Sequence, residues 1–132
     1  VAPIEGIREL IAELRRRHIK LGIASSSARR FINEVLSQLR LTGYFDSIVS
    51  GEEVPKGKPA PDIYLEAASQ LEVKPENCFV LEDSKNGVQA AKMANMKCIG
   101  FINPNSGKQN LMGADMLVKS IRDININDLL LP

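Results

Sequence analysis

The sequence has little of what several functional classes require. No apolar run approaches the roughly 18 residues of a membrane span, and the start is not signal-like, so a soluble, cytoplasmic protein without a membrane partner is expected. Histidine occurs once, as His18, which argues against a zinc site and against a serine–histidine catalytic pair. His18 falls where a helix should end, and reads as a C-terminal cap. Cysteine occurs twice, and the spacing of Cys78 and Cys98 fits neither a CxxC redox pair nor a recurrent metal motif. Each begins a strand-like apolar run, as reduced core thiols of a cytosolic protein do. Neither sign of charge is in excess. Lys and Arg number 17 against 16 Asp and Glu, which argues against nucleic acid as a partner. The run Arg15-Arg16-Arg17 is too short to change that and reads as a solvated helix face. Internal repeats and low-complexity segments are absent.

What is present is one domain's worth of ordinary globular sequence. The 132 residues are 44% apolar and 25% charged, enough for a core that buries roughly two-thirds of the extended surface. Ile4, Ile7, Leu10, Ile11 and Leu14 recur at helical spacing and predict a helix over 4–17. A short strand follows over 19–25, then a helix with Phe31, Ile32, Val35, Leu36 and Leu39 on one face, for which Ser27 is the natural N-cap. Residues 47–50 predict a strand and 51–62 a loop of fixed shape, with three prolines and two glycines. A helix follows from Asp62. Residues 78–82 and 98–102 predict further strands around a helix capped by Asp83 or Ser84, and 114–120 a last helix-to-strand passage. Short, continuous apolar strands alternating with helices make an α/β fold, a parallel sheet with helices on both faces in a three-layer Rossmann-like arrangement. Ligands in such folds sit at the carboxyl ends of strands, where Ser25, Ser26, Glu82, Asp83 and Asn103 fall.

Two of these strand ends, and the loop over 51–62, carry chemistry. In "FVLEDSKNG" an apolar run ends in two adjacent carboxylates, Glu82 and Asp83. Hard oxygen ligands of this kind suit magnesium, although two alone make a poor site. The alternative is that Asp83 caps the next helix and Glu82 faces solvent. Ser25-Ser26-Ser27 ends one strand and opens a helix, which makes either an anion site or a simple cap. Lys58, in "KGKPAP", is restrained by Pro59 and Pro61 and reads as a placed charge or as part of a basic surface loop, the role left to Lys56. The same stretch is not a phosphate-binding P-loop, because five residues separate Gly51 from Gly57 and Pro59 follows the lysine. An anion site, a cation and an acid pair at one sheet edge form a phosphoryl-transfer constellation.

Three stretches, "GIASSS" (22–27), "GKPAPDIYLEAASQL" (57–71) and "CFVLEDSKNGVQAAKMANMKCIGF" (78–101), resemble the haloacid dehalogenase superfamily, in the branch of beta-phosphoglucomutase and sugar-phosphate phosphatases. The resemblance covers about residues 3–121. It implies that Ser25 binds the transferring phosphoryl group and that Ser26 adds its backbone N–H. It implies that Lys58 balances charge, that Glu82 and Asp83 hold Mg2+, and that Ser84 and Asn86 stand behind them. The family's first motif, DxD on the first strand, supplies the nucleophile that forms an aspartyl phosphate, and it is not found in this sequence. The helical cap that selects the sugar is not found either. The chain, which opens Val1-Ala2-Pro3 without a Met, therefore reads as the C-terminal portion of such a core, inactive alone and with an open gap in its sheet. An N-terminal segment or a companion chain is expected to supply the nucleophilic aspartate, with a small phosphorylated substrate. The rival expectation is a non-catalytic anion-binding or regulatory protein with a degenerate fold.

Overall fold

A computed structural model describes residues 4–129. Helix α1 (Ile7–Arg16) leads into strand β1 (Gly22–Ser25), helix α2 (Arg29–Gln38) and strand β2 (Ser47–Ser50). Helix α3 (Asp62–Leu71), strand β3 (Phe79–Glu82), helix α4 (Lys85–Met93) and strand β4 (Lys97–Phe101) follow. A short strand β5 (Met116–Val118) and a one-turn helix α5 (Ile126–Leu129) end the described chain. Every pairing is parallel: β1 with β2, β3 with β4, and β4 with β5. The ladder is interrupted between β1 and β3, leaving a two-stranded and a three-stranded sheet.

Alternation along the strands explains the layers. Ile23 and Ile48 face α1 and α2, whereas Ala24 and Val49 face α3. Val80 and Cys98 join Ile63, Tyr64 and Ala91 in the core beneath α3 and α4. Ile99 and Phe101 turn the other way, toward α1 and Ile121. Helices thus cover both faces. Coverage fails beside the interruption: Leu81 is 36% exposed although Ile99, its register partner on β4, is 3% exposed. Among the described residues no helix is long and apolar enough to cross a membrane.

Three local expectations are revised. Helix α1 begins at Ile7 rather than residue 4, because Gly6 turns the chain at φ +90°. A Cβ there would come within 2.9 Å of Arg122 Cγ, so the close approach also requires glycine. Ser27 does not cap α2. Its own N–H is taken by the Ser25 hydroxyl at 3.1 Å, and Ala28 holds the cap position without a side-chain bond. Residues 114–120 contain strand β5 and no helix. His18 is the expected cap, left-handed at φ 59°, with its N–H on Arg15 O and the next N–H on Leu14 O. Arg40, Glu72 and Asn95 end α2, α3 and α4 in the same way. Cys98 is fully buried and Cys78 half-buried, and both are free. Burial, with Glu82 nearby, pushes the Cys98 thiol up to about 12, so it is an inert core group.

Candidate functional site

The carboxyl ends of β1 and β3 open onto one cavity of about 640 Å³. Ser25, Ser26, Lys58, Glu82, Asp83, Ser84 and Asn86 all line it. Lys85 and Gln109, which sequence reasoning did not single out, complete the wall with Ala24.

Ser25 ends β1. Its Oγ accepts the Ser27 N–H, and among the described residues its own O–H finds no protein acceptor, so it is left to donate into the cavity. The turn is buttressed from β2, where the Ser50 hydroxyl donates to Ser27 O at 2.7 Å.

Lys58 is 11% exposed, a placed charge and not a surface one. Its Nζ donates to Ala24 O at 3.2 Å and to Glu82 Oε1 at 2.5 Å, spanning the interruption in the sheet. The same ammonium lies 5.0 Å from the centroid of the Tyr64 ring. Lys56 is exposed, as expected of a surface lysine.

Glu82 is only 8% exposed, which removes the solvent-facing alternative. Its Oε1 also accepts the Tyr64 phenol at 2.5 Å, and its Oε2 accepts the Ser84 hydroxyl at 3.1 Å. Ser84 in turn caps α4 by accepting the Gly87 N–H at 3.0 Å. A buried carboxylate needs this degree of pairing. Burial, then the Glu82 charge, pushes the Tyr64 phenol above its ordinary range, so it remains a donor. Gly87 makes room: a Cβ there would lie 1.9 Å from Glu82 Oε2.

Asp83 is half-buried and turns to the loop after β4. Its Oδ2 accepts Asn103 Nδ2 at 3.0 Å and the Ser106 hydroxyl at 2.7 Å. Gln109 ties this loop to α4, accepting the Lys85 N–H at 3.0 Å and donating to Ser106 O at 3.2 Å. Asp83 is therefore the acid with coordination capacity to spare, whereas Glu82 already serves three protein donors. Among the described residues no three His, Cys, Asp or Glu side chains converge.

Tyr64, Gly87, Ser106 and Gln109 were missed at the sequence level. Asn103 drew notice only for its place at a strand end. The signal for Gly87 was a small residue one turn past the acid pair, legible only once Glu82 is known to be buried. Nothing in the sequence around Tyr64 distinguishes it from a core aromatic.

A family model for haloacid dehalogenase-like hydrolases matches residues 1–101. The chain is similar to beta-phosphoglucomutase of Bacillus subtilis, 37% identical over 123 residues that cover 93% of this chain and 52% of that protein. It is 43% identical over 124 residues to phosphorylated carbohydrates phosphatase of Thermotoga maritima, covering 92% of this chain and 57% of that one. The solved structure of CbbY from Rhodobacter sphaeroides in complex with phosphate matches with a TM-score of 0.90 at 34% identity, covering 97% of this chain and 59% of that one. The chain thus spans somewhat over half the length of these relatives.

Proposed function

The chain belongs to the haloacid dehalogenase-like hydrolases, and on that premise we propose that it is the phosphoryl-handling half of an enzyme that hydrolyses or transfers phosphate from a small sugar-phosphate-type ester. The observation that carries this reading is the single cavity that collects Ser25, Lys58 and Asp83 from three separate loops. The Ser25 O–H and the Ser26 N–H hold phosphoryl oxygens, and Lys58 offsets the repulsion between an anionic substrate and an anionic nucleophile. The nucleophile is an aspartate on a further strand, supplied by an N-terminal segment or a companion chain. The interrupted ladder, the half-exposed Leu81 and the greater length of the relatives all support such a strand between β1 and β3. The aspartate oxygen forms a bond to phosphorus as the ester oxygen leaves. Water then releases phosphate, or a sugar hydroxyl accepts it.

The donor set is compatible with Mg2+ once the incoming aspartate is counted. Asp83 would hold the ion directly, and Glu82, with Ser84 and Asn86 nearby, would bear on it through water. Bound there, the ion supplies charge neutralisation at the phosphoryl oxygens.

The test is Lys58→Ala in the full-length protein, assayed on a panel of sugar phosphates. Turnover should fall on the order of 100-fold or more, the usual worth of one well-placed donor in the transition state. Equal turnover by both proteins would remove Lys58 from the mechanism. Phosphate binding with no turnover of any ester by the wild type would favour the non-catalytic reading.

A further inference from the structure

Lys58 presents a contradiction. An ammonium held 2.5 Å from a buried carboxylate is largely neutralised, as seen from the cavity it is meant to serve. To meet an anion its Nζ must leave Glu82, and a nearly dry carboxylate abandoned by its cation is expensive. Something must remain on Oε1 when the lysine turns away. Tyr64 is placed to do so. Its phenol is already on the same oxygen at 2.5 Å, from a ring that is 7% exposed and fixed in the core beneath α3 and α4. The face of that ring lies 5.0 Å from the Lys58 ammonium, so the cation is supported by the tyrosine as well as by the acid.

We propose that Tyr64 is a positioning residue that frees Lys58 for the anion, by sharing Glu82 Oε1 at rest and holding it alone once Lys58 has turned into the cavity. This rests on the phosphate-handling reading above. The role needs the phenolic oxygen and not merely the aromatic volume. Phenylalanine would fill the same core space and leave Glu82 with no donor on Oε1 after Lys58 departs. The effect falls on every anion-bound state alike, so it acts on affinity more than on the chemical step.

The experiment uses the full-length protein and inorganic phosphate as probe, by titration calorimetry and as a competitive inhibitor. Tyr64→Phe should weaken phosphate binding roughly 10-fold, the worth of one hydrogen bond to a charged group. KM should rise in parallel, with kcat changed by no more than about threefold. In a Lys58→Met background the same substitution should leave phosphate affinity unchanged. A Tyr64→Phe protein with a lower melting temperature but unaltered phosphate affinity would overturn the proposal and leave Tyr64 a core aromatic. If Lys58→Met itself does not weaken phosphate binding, the phosphate-handling reading fails and takes this inference with it. If Lys58→Met weakens binding and Tyr64→Phe does not, only the inference falls. A wild-type structure with phosphate gives an independent check: Lys58 Nζ should point at the anion while the phenol stays on Oε1. Lys58 still bonded to Glu82 beside a bound phosphate would refute it.

Discussion

Gly87→Ala should destabilise this protein, although alanine is the better helix former. In a helix interior the substitution alone is worth about 1 kcal/mol in alanine's favour. Here the new Cβ would stand 1.9 Å from Glu82 Oε2 and 2.0 Å from its Cδ, distances no packing adjustment absorbs. The Glu82 carboxylate is the end of a flexible side chain, so the low-energy response is for it to swing out. Doing so strands the Tyr64 phenol, for which a buried unpaired donor costs about 1–3 kcal/mol. It also leaves Lys58, 11% exposed, with Ala24 O alone, and breaking a buried ion pair costs about 3–5 kcal/mol when one partner is lost. These overlapping terms, less the helix gain, predict a net loss of about 2–4 kcal/mol. Urea unfolding of the wild type, Gly87→Ala, Glu82→Ala and the double variant measures it as a cycle. With the carboxylate already removed, Gly87→Ala should be neutral or stabilising by up to about 1 kcal/mol. An equal cost in both backgrounds would refute the claim that Gly87 exists to seat Glu82.

Two further outcomes follow from other parts of the molecule. His18→Gly and Arg40→Gly should each raise stability by about 0.5–1 kcal/mol, because each relieves a left-handed non-glycine residue at a cost in unfolded-chain entropy. A lower urea midpoint for either variant would contradict the helix-end assignment. Stability should fall on acidification. The Arg29 guanidinium, then the Ser50 N–H, holds Glu53 near 2 against an ordinary 4.5, so its contribution is complete above about 4.5 and is lost as pH falls toward 2. Arg29→Met should make the decline over that window shallower, and an unchanged acid limb of the urea midpoint against pH would count against it.

How much was legible depends on whether a feature is local. Strand β2 falls at residues 47–50 as expected, and β3 and β4 fall within one residue of expectation, because each is a short apolar run with a sharp polar or glycine boundary. The strand ends at Ser25, Glu82 and Asp83 were legible for the same reason, and with them the general location of the site. Glu82 itself was not. Sequence leaves it between solvent and metal, while its burial depends on Tyr64 and Lys58, 18 and 24 positions distant, and on Gly87. The Ser27 cap failed by one position: α2 starts at Arg29, so Ala28, with an extended backbone, stands at the cap and Ser27 lies one residue too early. The clamp of Asn103 and Ser106 on Asp83 depends on where β4 delivers the next loop, which no local pattern encodes.

The break in the ladder gives the molecule a joint. Each plate, β1–β2 and β3–β4–β5, is riveted by its own backbone bonds, but among the described residues no strand ladder joins one plate to the other, and side-chain contacts hold them together. Most of that fastening is apolar, with Val49 and Ala24 packed into the same core as Val80 and Cys98. Its polar bolt is Lys58, which donates to Ala24 on one plate and to Glu82 on the other. The group that would greet an anion is thus also the group that holds the two plates in line. Drawing Lys58 into the cavity slackens the joint unless an anion seated between Ser25, after β1, and the Lys85 and Asn86 side of the wall, after β3, takes over as the bolt. Filling the site and stiffening the molecule then become one equilibrium, readable as amide exchange that slows across both plates together when phosphate is added.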